Sequence, residues 1–120
     1  MTKDRRERIR ARLQKLEVDA LFVTKPVNVR YTTAFSGSNG QLLIGSEDVF
    51  LTDPRYEEQS SKECGDVRRE IYGTSAKQIG ESAGVFALLE SVLRELGVSR
   101  LGVEAGFMTL STARQIREQI

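Results

Sequence analysis

Three carboxylates, Asp48, Asp53 and Glu104, sit where strand-like runs begin or end, and one arginine, Arg55, stands in the first turn of a helix-like segment. Paired carboxylates share general acid and base work only if they converge, and spacing alone does not bring these three together. Asp53 precedes Pro54, the pattern of a helix N-cap with proline at the first helical position, so its side chain is expected to cap rather than to catalyse. Arg55 is the anomaly, because a cation at a helix N-terminus is opposed by the dipole and something else must account for its placement. A planar guanidinium matches a carboxylate with two parallel hydrogen bonds. That carboxylate is either the C-terminus of a peptide, an acidic group across a subunit contact, or a neighbour within the domain; the remaining alternative is a solvated surface arginine with no partner. Tyr56 beside it reads as a packed aromatic rather than a ligand.

Histidine is absent, and cysteine occurs once, at Cys64. Ser-His-Asp and Cys-His catalysis are thereby excluded within this sequence, as are zinc sites built on imidazole or on several thiolates. Cys64 follows a charged run, has no base to take its proton, and is expected to be inert. No glycine-rich phosphate loop ending in Lys-Ser/Thr occurs, nor a G-x-G-x-x-G after a strand, so nucleotide binding has no basis. A carboxylate-only site stays formally open, but no catalytic or metal-ligating residue is assigned to the chain itself.

The stretch VNVRYTTAFSGSNGQLLIG, residues 27–45, sets Tyr31 and Phe35 ahead of small polar residues and glycines. Val27, Tyr31 and Phe35 fall nearly on one face of a short helix, and the two aromatics are expected to anchor it to the core. Ser36 to Gly40 then forms a tight loop with exposed amides and no bulky side chains. Gly37 and Gly40 either satisfy turn geometry alone or let another chain or a peptide approach closely. Tyr31, Phe35, Ser36, Asn39 and Arg55 are the candidates for facing a substrate or a partner.

Such residues need a frame. Lys3 to Glu17 carries Ile9, Leu13 and Leu16 at helical spacing, an amphipathic helix with one buried stripe. Asp19 to Thr24 reads as a central parallel strand buried on both faces, and Pro26 opens a short helix to about Thr33. Gln41–Ile44 and Asp48–Thr52, with glycine at the turn between them, predict an antiparallel hairpin. A surface helix from Pro54 to about Cys64 stops at Gly65, and Val67 to Tyr72 alternates as a strand with one wet face near a sheet edge. Beyond a polar loop from Thr74 to Glu81, Val85, Leu88, Leu89, Val92, Leu93 and Leu96 mark a helix closed by Gly97. RLGVEA supplies a last strand, and a helix beginning near Thr109 is cut at Ile120, as in a truncated chain. Helices alternating with strands, plus one hairpin, predict an α/β domain with three α/β/α layers around a mixed five-stranded sheet. No repeat or linker divides residues 1–120.

With 18 basic and 17 acidic side chains, bulk charge names no partner, and neither nucleic acid nor a membrane is expected. The opening run KDRRERIRAR is locally basic with acids interleaved, and reads as solvated helix surface. No window approaches roughly 18 consecutive apolar residues and no export signal is visible, so a cytoplasmic location is expected.

NVRYTTAFSGSNGQLLI, VFLTDPRYEEQ and LGVEAGFMTLS, in that order, resemble the N-terminal domain of the creatinase, prolidase and aminopeptidase P family of Xaa-Pro peptidases. The resemblance spans nearly the whole chain on three linked motifs. It implies that family's N-terminal fold, with a ribonuclease H-like motif, ahead of a catalytic pita-bread domain absent from residues 1–120. There, two Asp, two Glu and one His commonly hold a pair of divalent ions, Mn, Co or Zn, while this domain holds no cofactor. It further implies a homo-oligomer, a dimer in the simplest case. In it this domain mediates assembly and shapes a partner subunit's active-site entrance, with peptide substrate at the contact. The chain departs from the family pattern at Thr33-Ala34, where a glycine is usual, and at Pro54; Ala34 would stiffen the backbone where glycine permits positive φ. Two other readings stay open: a stand-alone module binding a peptide or small molecule through the Phe35–Gly40 loop, and the N-terminal domain of a creatinase-like amidinohydrolase.

Overall fold

The computed structural model describes residues 1–73 and 84–104. Along the chain these form α1 (Thr2–Lys15), β1 (Ala20–Val23), α2 (Pro26–Thr33), β2 (Gly40–Ile44) and β3 (Val49–Thr52). A 3-10 turn (Pro54–Tyr56) then leads into α3 (Glu57–Glu63), β4 (Arg68–Ile71), α4 (Val85–Glu95) and β5 (Leu101–Val103). The segment expected as one helix from Pro54 is thus a 3-10 turn continued by α3. The loop expected from Thr74 to Glu81 and the helix expected from Thr109 to Ile120 lie outside the described residues. No helix among the described residues is long and apolar enough to cross a membrane.

One mixed sheet has the order β4-β3-β2-β1-β5. Successive strand residues point to opposite faces, so apolar runs in the inner strands fill two cores. Ala20, Phe22, Leu43, Val49 and Leu51 meet Leu88, Leu89, Val92 and Leu93 of α4 on one face. Val23, Leu42, Ile44 and Phe50 meet Leu13, Val29, Phe35 and Cys64 on the other. Helices on both faces make the three expected layers. β2 and β3 pair antiparallel as the hairpin predicts, and β4 lies parallel to β3 at the edge with its residues half-buried. β1, expected as a parallel strand, is parallel only to β5 and antiparallel to β2. It is where the β1–β2–β3 meander meets a crossover strand.

The opening helix buries part of its expected stripe, at Leu13, and one residue outside it. Ile9 is half-buried and Leu16, at the C-cap, is 66% exposed, whereas Arg6 is 2% exposed. Its guanidinium donates to Asp48 Oδ2 at 3.1 Å, to the Thr32 carbonyl at 2.9 Å and to Asp66 Oδ2 at 2.9 Å. Arg10 donates to the Gly45 carbonyl at 2.7 Å and pairs with the other oxygen of Asp48. The basic run is therefore not plain surface: Arg6 ties α1 to the end of α2, the β2–β3 turn and the approach to β4.

Helices α1 and α4 close alike, with Val18 N–H reaching the Leu13 carbonyl and Val98 N–H the Leu93 carbonyl, each at 3.0 Å. This Schellman closure puts one residue in the left-handed region, where glycine is at ease. Gly97 occupies it with φ 67° in α4, but Glu17 does so with φ 57° in α1, and Ala34 closes α2 with φ 70°. An L-residue there costs about 1–2 kcal/mol. Ala34→Gly and Glu17→Gly are each expected to stabilise the fold by about 0.5–1 kcal/mol, after allowing for glycine's greater unfolded-state freedom. A raised urea midpoint is the expected readout, and a lowered one would count against the strain.

Candidate functional site at the glycine loop

The turn that ends α2 decides where its aromatics go. Val29, Thr32 and Thr33 are the buried residues of this helix, while Val27 and Tyr31 are 61% and 51% exposed. The expected common face of Val27, Tyr31 and Phe35 does not form, because left-handed Ala34 breaks helical spacing and turns Phe35 inward alone. The Phe35 ring is buried, 4.8 Å from the Phe50 centroid and 5.4 Å, edge-on, from Tyr56. Phe35 is a core residue, not a surface for substrate or partner. Tyr31, expected to anchor in the core, instead lies outside under the Arg5 guanidinium, 4.1 Å from its ring centroid.

Gly37 and Gly40 lie against the aromatic rings. A Cβ on Gly37 would stand 2.4 Å from Phe35 Cζ and 2.8 Å from Tyr56 Cε1; one on Gly40 would stand 2.5 Å from Phe50 Cζ and 2.8 Å from Phe35 Cε2. Neither has a positive φ. The glycines make room for the domain's own rings, a cause distinct from both turn geometry and the approach of another chain.

Side chains fasten the rest of the loop. Ser36 donates its backbone N–H and its hydroxyl to the two oxygens of Glu63, at 2.9 and 2.7 Å, and these bonds hold the Glu63 carboxyl below its ordinary pKa. The Ser38 and Tyr56 hydroxyls lie 2.5 Å apart. The Asn39 amide nitrogen donates to Asp53 Oδ2 and to the Tyr72 hydroxyl, each at 2.6 Å, and its carbonyl oxygen accepts from Gln41 at 3.0 Å. Tyr72 was not readable as a member of this group. It enters because β4 runs parallel to β3, placing the Tyr72 N–H 3.1 Å from the Thr52 carbonyl.

Asp53 joins two of the candidates. One oxygen accepts from the Arg55 backbone N–H and from its Nε, each at 2.9 Å, and the other accepts from Arg55 Nη2 at 2.8 Å and from Asn39. The cap expected at Asp53 is present, and Arg55 finds its planar partner two residues away. The Arg55 side chain is nevertheless 70% exposed, and its Nη1 has no partner among the described residues. The Arg55 side chain, with help from Asn39, lowers the Asp53 pKa from 3.8 to about 2. A carboxylate so saturated with donors is a poor general base. Because its folded-state pKa lies below the unfolded one, Asp53 contributes stability that is complete above about pH 4 and lost as pH falls toward about 2. The difference in urea midpoint between the parent and Asp53→Asn is expected to shrink across that window. A difference constant from pH 6 to pH 2 would contradict the assignment.

The other strand-end carboxylates are also committed to structure. Asp48 is held by Arg6 and Arg10. Glu104 accepts from the Thr24 and Lys25 N–H groups, the Thr24 hydroxyl and the Asn28 amide, capping α2 from the far end of β5. Burial pushes its carboxyl up, but Asn28 and the amide donors outweigh burial and leave it lowered. Burial raises the Cys64 thiol to about 11, where no thiolate is available near neutrality. Among the described residues no group of three or more His, Cys, Asp or Glu could hold a metal ion. They do not fit the divalent pair that the resemblance implies elsewhere. What the loop edge presents is an exposed guanidinium held from behind by Asp53, 5.3 Å from the Tyr56 ring centroid.

A family model described as Creatinase/Prolidase N-terminal domain matches residues 5–120. An uncharacterised peptidase of Bacillus subtilis strain 168, YqhT, is 32% identical over 107 residues, covering 88% of this chain and 28% of that protein. An Xaa-Pro dipeptidase from Bacillus anthracis superposes with TM-score 0.88 at 26% identity, over 100% of this chain and 32% of its own. The N-terminal domain of the cytoplasmic peptidase PepQ from Mycobacterium tuberculosis H37Rv superposes with TM-score 0.82 at 28% identity, over 97% of this chain and 84% of its own. The chain thus spans about a third or less of the two longer relatives.

Proposed function

This chain belongs to the creatinase/prolidase N-terminal domain family, and from that premise we propose that it is the accessory, non-catalytic domain of a metal-dependent Xaa-Pro peptidase. In this reading it mediates oligomerisation and forms part of the wall of a partner subunit's active-site entrance. The chemistry belongs to a following catalytic domain with its divalent ions. The observation that carries the reading is the Arg55 guanidinium, clamped by Asp53 yet 70% exposed with Nη1 turned away from the clamp. A pre-oriented guanidinium loses little freedom on meeting a carboxylate, which suits a peptide C-terminus or an acidic group across a subunit contact. Ser36, Ser38 and Asn39 border the same edge through their bonds to Glu63, Tyr56 and Asp53.

The test is Arg55→Ala in the full-length polypeptide that carries this domain, assayed on Xaa-Pro peptides. Loss of a charge-assisted hydrogen bond corresponds to roughly 1.5–3 kcal/mol, so kcat/KM per folded molecule is expected to fall about ten- to a hundredfold with metal content unchanged. Arg55→Lys should recover only part, since a point charge cannot reproduce the fork. An unchanged kcat/KM with a lowered melting temperature would confine Arg55 to holding Asp53, and would remove it from the entrance.

A further inference from the structure

We propose that the groove between α1 and α2 is a docking site for an acidic polypeptide segment with an apolar side chain set between its carboxylates. Arg5, Arg8, Ile9 and Arg12 line it from α1 and Tyr31 from α2, enclosing about 170 Å3. Positions 5, 8, 9 and 12 share one face of a helix, so the three guanidiniums form a ladder along the groove with Ile9 between them. That volume is below the ~300–1,000 Å3 of ordinary small-molecule pockets and suits protruding side chains instead.

Arg8 and Arg12 have no ion pair among the described residues, and like charges four residues apart on a helix repel. Arg5 is fixed without any carboxylate, its Nη1 donating to the Tyr31 carbonyl at 2.8 Å while its guanidinium covers the Tyr31 ring. By contrast Arg6 and Arg10 on the same helix are satisfied by Asp48 and Asp66. The helix therefore separates structural arginines from arginines left open beside an exposed aromatic ring. Aromatic and arginine side chains together are the chemistry of interface anchors. A nucleic acid is the weaker fit, since the net charge is only +1 and Asp4 and Glu7 interrupt the basic run. The proposal concerns different elements from the Arg55 edge and does not rest on the peptidase reading.

Fluorescence anisotropy with a labelled octapeptide of alternating glutamate and leucine tests it on the whole chain. Binding is expected with Kd on the order of 10–100 μM at low salt, weakened severalfold at about 0.3 M salt. Arg8→Glu combined with Arg12→Glu should weaken binding at least tenfold and lower the urea midpoint only slightly, since neither guanidinium has an ion pair among the described residues and only Arg12, in the last turn, meets the helix dipole. Tyr31→Ala should weaken it severalfold, and Lys62→Glu on α3 should not matter. Failure to bind at 1 mM, equal binding by the double variant, or tighter binding of a DNA duplex of about 20 base pairs would each overturn the proposal.

Discussion

Arg6→Ala is expected to destabilise the domain by about 2–4 kcal/mol, which at roughly 3–6 °C per kcal/mol lowers the melting temperature by about 6–24 °C. The estimate sits below the upper range for breaking a buried ion pair for a specific reason. Asp48 keeps Arg10, and Asp66 is 49% exposed and can return to water. What remains uncompensated is the Thr32 carbonyl, the volume of the guanidinium, and the joint it makes between α1, α2 and the two loops. Arg6→Lys should recover less than half, since one ammonium on a shorter reach cannot meet three acceptors in three directions. Asp66→Ala should cost under 1 kcal/mol, as expected for a largely solvated partner. Thermal unfolding of the three variants ranks them directly, and an Arg6→Ala loss no larger than that of Asp66→Ala would refute the joint.

The second large effect belongs to Gly40. Adding one methyl group there drives it to 2.5 Å from Phe50 Cζ and 2.8 Å from Phe35 Cε2, far inside contact distance on two rings that are themselves buried. Overpacking of this kind costs about 1–3 kcal/mol, and the upper half is expected for Gly40→Ala because both neighbours are boxed in. The same reasoning predicts the remedy. Phe50→Leu removes the ring edge that the methyl would strike, so the double variant should be at least about 1 kcal/mol more stable than the two single losses added together. Strict additivity would mean that the glycine serves backbone conformation rather than space.

These two residues also mark where reading the sequence stopped short. Elements with periodic apolar spacing were readable: α4 packs through the leucines and valines that its spacing singles out, and the β2–β3 hairpin pairs as its glycine turn predicts. Local chemistry was readable too, since the Asp53-Pro54 cap needs only neighbours in sequence. Arg6 was not, because its partners lie 26 to 60 positions away and an arginine on an amphipathic helix looks solvated until those partners are placed. Of the two aromatics expected in the core only Phe35 is there, because one left-handed residue, Ala34, broke the helical count that would have put Tyr31 on its face. The same limit applies in part to the glycines, whose reason is the inward-turned Phe35 ring together with a ring on β3 and another from the 3-10 turn. The candidate site divides accordingly. Asn39 and Arg55 meet on Asp53, Ser36 is bound to Glu63, Phe35 leaves for the core, and Tyr31 belongs to a different surface.

The bonds that join β5 to the start of the chain have a consequence for synthesis. Glu104 closes onto Thr24 across 80 positions, and Asp19 accepts from the Ser99 and Arg100 N–H groups across 80 and 81. On the ribosome, the hairpin and the α1–α2 face can assemble soon after their residues emerge, while one side of β1 waits with its ladder groups unpaired. At a translation rate of about 5–20 residues per second that wait lasts several seconds. Throughout it the apolar β1 is an open template for a strand from a neighbouring nascent chain. Pairing with β5 therefore does more than extend the sheet: it ends the interval in which this edge of β1 is open to aggregation.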